Sequence, residues 1–249
     1  MAPDEVRVWV APLDVGDCPL GELEADLSNE ERERASRLRF ERDRHRFVAA
    51  HAFLRRVLAH SLGCAAPAVP IVRGAGGKPE LVSTRSGSRA TLRFNLAHSG
   101  ELVVCATALE REVGIDVERV RPVRGLDGLA RRVLSEREQA AFRARSGGQA
   151  DEAFLTAWTR KEAVLKARGD GLGREPASVE VAFGPGEPAR LLAVAGEPGA
   201  ELRWTLQALD AGPGHVAAVA AEGDGWLVRR RFCAGAPDVP VVAAVSGFS

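Results

Sequence analysis

Gly114-Ile115-Asp116-Val117-Glu118 and Trp158-Thr159-Arg160-Lys161-Glu162-Ala163-Val164-Leu165-Lys166 are the stretches on which the fold turns. The first sets two carboxylates two apart in a β-branched run. In a strand, residues i and i+2 share a face. Asp116 and Glu118 therefore point one way, while Ile115 and Val117 point into a core. The second stretch reads as a helix. On a wheel, Phe154, Leu155, Ala157, Trp158, Val164 and Leu165 form an apolar arc, with Thr156, Thr159, Arg160 and Ala167 outside it. Lys161 and Glu162 fall inside the arc, and Lys166 sits at its border. Charges in such places are costly unless paired. Three carboxylates and two ammonium groups together describe a site for a divalent cation and a polyphosphate.

Lysine usage sharpens this reading. Of 34 basic residues only Lys78, Lys161 and Lys166 are lysine. The chain uses Arg wherever positive charge merely solubilises. A compact ammonium is not interchangeable with a guanidinium fork. Lys78 lies in Gly76-Gly77-Lys78-Pro79-Glu80, and the other two lie in the helix above.

The 249 residues suffice for one large domain or two small ones, and 45% hydrophobic content supports a normal core. A net charge of zero argues against generic nucleic-acid or membrane binding. The balance is local, since residues 32–56 hold nine Arg and three acids. Cys18, Cys64, Cys105 and Cys233 show no metal-site spacing and no disulfide framework, and Cys105 reads as core. The N-terminus lacks a signal-peptide pattern, and no apolar run approaches a membrane span. The expectation is a cytoplasmic protein.

Along the chain, Val6–Ala11 reads as a strand. Ser28-Asn-Glu-Glu31 is a capping box opening helical pattern from about Arg32 to Ser61, with a break near Phe40–Asp43, ending at Gly63. Residues 64–90 read as loop. Strands at Thr91–Ala97 and Leu102–Leu109 are joined by a turn His98-Ser99-Gly100-Glu101, and a strand at 113–118 follows. A second capping box, Ser135 to Glu138, opens a helix to about Arg145. Ser146–Gln149 reads as loop, and a helix from about Asp151 to Arg168 stops at Gly169. Strands follow near 178–183, 190–195, 202–208, 215–221 and 226–232. The order suggests two α+β halves, 1–110 and 111–223, with a C-terminal strand and tail at 224–249.

Together these segments resemble the 4′-phosphopantetheinyl transferases of the large, surfactin-synthetase-activating type. The resemblance rests on Phe94-Asn-Leu-Ala-His98-Ser-Gly, Gly114-Ile-Asp-Val-Glu118, Trp158-x-x-Lys-Glu-Ala-x-x-Lys166 and Gly169-Asp-Gly-Leu172. It spans roughly residues 5–222. Gly77-Lys-Pro79 and the Arg-rich stretch ending near Arg46 also fit. It implies a pseudodimer of two similar α+β halves with coenzyme A in the cleft between them. The implied reaction moves the phosphopantetheine arm of coenzyme A to a serine of an apo acyl or peptidyl carrier protein, releasing 3′,5′-ADP.

The resemblance also assigns residues. Asp116, Glu118 and Glu162 hold Mg²⁺. Lys161 and Lys166 neutralise the pyrophosphate. His98 and Arg46 take the 3′-phosphate, and Lys78 with Pro79 lies along the adenine. Glu138 matches a general base for the serine hydroxyl, although its place in a capping box explains it equally well. Trp158 reads as packing, and Ala97 stands where the family often has Ser. A monomer is expected, because one chain supplies both halves. The rival readings are a non-catalytic coenzyme A or carrier-binding module on the same fold, and another Mg²⁺-dependent phosphoryl transferase or nuclease. No Walker-type loop supports a nucleoside triphosphatase.

Overall fold

The structure, a computed structural model, describes residues 1–14, 18–74, 76–82, 92–170 and 173–240. Two sheets and two long helices organise it. Strands β1 (Glu5–Pro12), β4 (Leu92–Ser99), β5 (Leu102–Leu109) and β11 (Leu227–Phe232) form one sheet, in the order β11-β1-β5-β4. Strands β6 (Val113–Arg119), β9 (Trp204–Leu209) and β10 (His215–Glu222) form the other, in the order β6-β10-β9. The strand pairings in these two sheets are antiparallel except that of β11, which returns to pair parallel with β1.

The period of two in the strands sorts side chains between layers. From β1, Trp9 and Ala11 face a core made with the 22-residue helix α3 (Glu41–Leu62), joined by Phe53, Val57 and Leu58. Val6, Val8 and Val10 face the other way and meet Val113, Ile115, Val117 and Val219 of the second sheet. On the far side of that sheet lies α6 (Gly147–Arg168), also 22 residues, against Ala218 and Ala220. Because Ile115 and Val117 are committed to the layer between the sheets, Gly114, Asp116 and Glu118 are turned toward α6.

The two halves repeat a device. In each, a serine–glutamate capping box opens the helix that precedes the long one. These are Ser28 and Glu31 for α2 (Asn29–Ser36), and Ser135 and Glu138 for α5 (Glu136–Phe142). Both long helices end on a left-handed glycine, Gly63 at φ 68° and Gly169 at φ 75°. The short helices α1 (Leu20–Glu24), α4 (Leu126–Val133) and α7 (Ala200–Arg203) lie outside the expected pattern.

Several expectations need correction. Residues 64–82 are not plain loop: they hold a 3-10 turn and a small hairpin, β2 (Ile71–Arg73) with β3 (Pro79–Leu81). His98 is not in a turn but in β4, opposite Val103. Helix α6 begins at Gly147, because two glycines disguise its first turn. Thr159, Arg160 and Ala167 are buried. The single-arc wheel fails here because α6 is covered by the sheet on one side and by β7 (Val179–Val181) and its flanking turn on another. Gly171 and Leu172 lie outside the described residues. Among the described residues no helix is long and apolar enough to cross a membrane.

Candidate active site

Gly114 fixes the distance between β6 and α6. A β-carbon there would stand 2.2 Å from the carbonyl of Ala163 and 2.2 Å from the amide nitrogen of Ala167. The strand therefore lies directly on the helix backbone, and the carboxylates of both motifs converge. Asp116 is 6% exposed. Its Oδ1 accepts a hydrogen bond from Lys166 Nζ at 2.6 Å. Its Oδ2 is buried with no hydrogen-bond partner. Burial pushes Asp116 up to about 7, Lys166 opposes this, and Glu118 and Glu162 add to it. Glu162, half-buried, is also raised by burial and by Glu118, against Lys166.

Glu118 is steadied from the first sheet. Ser99 Oγ donates to Glu118 Oε2 at 2.6 Å and accepts from the Arg119 amide at 3.1 Å. Four residues earlier on β4, Asn95 Oδ1 accepts from the Ile115 amide at 3.0 Å. Asn95 and Ser99 share a face of β4 and stitch it to the free edge of β6. The sequence reading treated Ser99 as a turn residue and gave Asn95 no role. The available signal was their spacing of four in a strand opposite the acidic motif.

The other wall carries cations. His98 is exposed, and its imidazole is held below the usual histidine range by partial desolvation and by Lys166 and Arg46. Arg46, on α3, is in close ion contact with Glu101, which Arg42 also approaches at 3.4 Å. A recess of about 420 Å³ opens beside them, lined by Leu13, Cys18, His45, Arg46 and Glu101 among others. Asp116, Glu118, Glu162, Lys166, His98 and Arg46 thus form one electrostatically connected group.

Lys161 and Glu138 stand apart from it. They form an ion pair of 2.6 Å with 0% and 3% side-chain exposure. Lys161 Nζ also donates to the carbonyls of Pro176, at 3.1 Å, and Val179. Glu138 accepts from the Val181 amide at 2.8 Å and the Ser135 amide at 2.8 Å. The donors and acceptors of this pair are spent on the protein. The expected roles of Lys161 as phosphate ligand and Glu138 as base would require this pair to open. Lys78 is similarly engaged: its Nζ donates to Glu112 at 3.0 Å, to Val113 O at 3.1 Å and to Ala167 O at 3.0 Å. Its ammonium ties the β2–β3 loop to α6, which leaves the adjacent loop surface and Pro79 as the parts open to a ligand.

The donor set fits a hard divalent cation. A buried carboxylate oxygen without a partner, beside two further carboxylates, has the oxygen chemistry that Mg²⁺ requires. Among the described residues no three such groups already close on one point, and the Lys166 ammonium is the cation nearest Asp116.

Comparison with known proteins identifies the family. The family model described as the 4′-phosphopantetheinyl transferase superfamily matches residues 112–220. The model for the 4′-phosphopantetheinyl transferase N-terminal region matches residues 21–110. The 4′-phosphopantetheinyl transferase HetI of Nostoc sp. is 39% identical over 223 residues, covering 90% of each chain. A 4′-phosphopantetheinyl transferase of Bacillus subtilis is 29% identical over 148 residues, 59% of this chain and 62% of that one. Among solved structures, the holo-[acyl-carrier-protein] synthase of Thermotoga maritima shares 26% identity over 45% of this chain and 63% of its own, with a TM-score of 0.36. With each half matched by its own model and a relative aligned across both, this chain belongs to the 4′-phosphopantetheinyl transferase superfamily, in its larger form with two α+β halves in one chain.

Proposed function

We propose that the protein transfers the 4′-phosphopantetheine arm of coenzyme A to a serine of an apo acyl or peptidyl carrier protein, with 3′,5′-ADP leaving. The observation that carries this reading is the unpartnered, buried Oδ2 of Asp116, set among Glu118, Glu162 and Lys166, with His98 in electrostatic reach of Lys166, Arg46 and Glu118. A silent binding module has no use for a desolvated carboxylate of this kind.

Asp116, Glu118 and Glu162 would hold Mg²⁺, which when bound neutralises pyrophosphate charge. Lys166 leaves Asp116 and places its ammonium on the phosphate oxygens, where charge builds up in transfer. Arg46 and His98 take the 3′-phosphate, and the backbone around Gly77 and Pro79 lies along the adenine. A carboxylate of the Asp116, Glu118 and Glu162 group takes the proton of the carrier serine. One chain supplies both walls, so the working form is a monomer.

Incubation with coenzyme A, Mg²⁺ and an apo carrier protein, followed by intact mass, tests the reading. A carrier mass increased by one phosphopantetheine arm is the expected result. An unchanged carrier under conditions that load it with an authentic transferase would overturn it.

A further inference from the structure

We propose a second ligand site, away from the transfer site: the recess between α5, α6 and the turn after β7 binds a small carboxylate or phosphate on the guanidinium of Arg160. The recess encloses about 740 Å³ and is lined by Arg145, Gln149, Thr156, Arg160, Phe183 and Glu187 among others. Arg160 and Glu162 are two residues apart on α6, so they project from opposite sides of the helix.

What marks the recess is a buried guanidinium with no direct ion pair among the described residues. Arg55 is buried against Glu31, Lys161 against Glu138, and Asp116 against Lys166. Arg160 is 7% exposed, yet it makes no ion pair among the described residues. Its Nη1 donates to the carbonyl of Ala182. Its Nε and Nη2 have no partner among the described residues. Those two nitrogens form one edge of the guanidinium fork, the edge that grips a carboxylate or phosphate with two parallel hydrogen bonds. Glu187 compensates this charge only at a distance, and an anion entering the recess would add direct hydrogen bonds on that edge. Glu187 is the nearest acid in electrostatic reach, but its carboxylate accepts from the Gly184 amide at 2.9 Å. Arg145 adds a second cation, its guanidinium 4.9 Å from the centre of the Phe183 ring.

Inorganic phosphate and succinate, titrated calorimetrically into the intact protein, are the probes. Arg160→Gln should weaken both by about tenfold or more. Two exposed rim positions give opposite signs without disturbing the core. Ala144→Glu should weaken binding and Glu152→Gln strengthen it, each by about two- to fivefold. Arg46→Ala, which alters the coenzyme A wall, should leave succinate binding unchanged. The proposal fails if neither probe binds, if the rim variants leave affinity unmoved, or if Arg46→Ala removes the binding. Should Arg160→Gln not fold, the rim pair decides alone.

Discussion

Lys161 and Glu138 stand in the second half as Arg55 and Glu31 stand in the first. In each pair the acid is the third helical residue of a capping box, and the base projects from the long helix. In each pair the base also donates to backbone carbonyls of the segment that follows its helix: Ala66, Pro67 and Val69 for Arg55, and Pro176 and Val179 for Lys161. The pair in the first half has no metal motif beside it. The repeated device locks a long helix to its neighbours.

Removing one partner of such a buried pair leaves the other charge uncompensated. Lys161→Ala should therefore cost about 3–5 kcal/mol of stability. Chemical denaturation of Lys161→Ala, Glu138→Gln and Lys161→Met/Glu138→Gln checks this. The double variant should cost less than the sum of the single ones. A Lys161→Ala protein as stable as wild type but inactive would restore Lys161 to the reaction.

Gly114→Ala tests how closely the motifs must approach. The added methyl meets backbone atoms of α6 at Ala163 and Ala167, which cannot rotate away. The helix must move, at a cost of about 1–3 kcal/mol for overpacking. Glu162 and Lys166 move with it. Mg²⁺ affinity should fall along with stability, whereas Gly148→Ala, at an open position of the same helix, should leave both intact. Unchanged Mg²⁺ affinity in Gly114→Ala would show that β6 does not set the site.

Sequence legibility follows from what each residue does locally. Both capping boxes, both terminal glycines and the alternation of Ile115 and Val117 against Asp116 and Glu118 depend on neighbours within one helical turn or strand pitch. They were readable for that reason. The fate of Lys161 depends on a partner 23 positions away and on carbonyls beyond the end of its helix, which a wheel does not contain. Lys78 was picked out by its rarity, yet its acceptors come from β6 and α6. Asn95 and Ser99 escaped because their bonds cross between sheets. Arg160 was placed on an exposed side because the cover over that side of α6 comes from segments after the helix.

The raised Asp116 carboxyl makes stability depend on pH. Its ordinary value is 3.8, and burial carries it to about 7 in the folded protein. A group that holds its proton more tightly when folded contributes fully below the unfolded value and loses that contribution as pH rises toward the folded one. Metal-free wild type should therefore lose stability relative to Asp116→Asn between about pH 4 and pH 7. Mg²⁺ requires the ionised form, so its affinity should climb over the same window. Thermal melts and titration calorimetry across that range check both signs. A constant difference between wild type and Asp116→Asn would mean the carboxyl is not raised.

Arg46 and His98 should discriminate coenzyme A from dephospho-coenzyme A. They sit on different elements, α3 and β4, and both act on the same region electrostatically. Arg46 has a competitor in Glu101, on the turn that follows His98. A charge-assisted phosphate contact contributes ~1.5–3 kcal/mol, so losing one should weaken coenzyme A roughly ten- to a hundredfold. Arg46→Ala and His98→Ala should lower affinity for coenzyme A while sparing dephospho-coenzyme A, which lacks the group. Glu101→Gln should act in the other direction, because it frees the Arg46 guanidinium from its carboxylate. If Arg46→Ala and His98→Ala lose both ligands equally, the residues serve the fold or the pyrophosphate. If Glu101→Gln weakens coenzyme A, the Arg46–Glu101 pair is part of the bound state and does not restrain it.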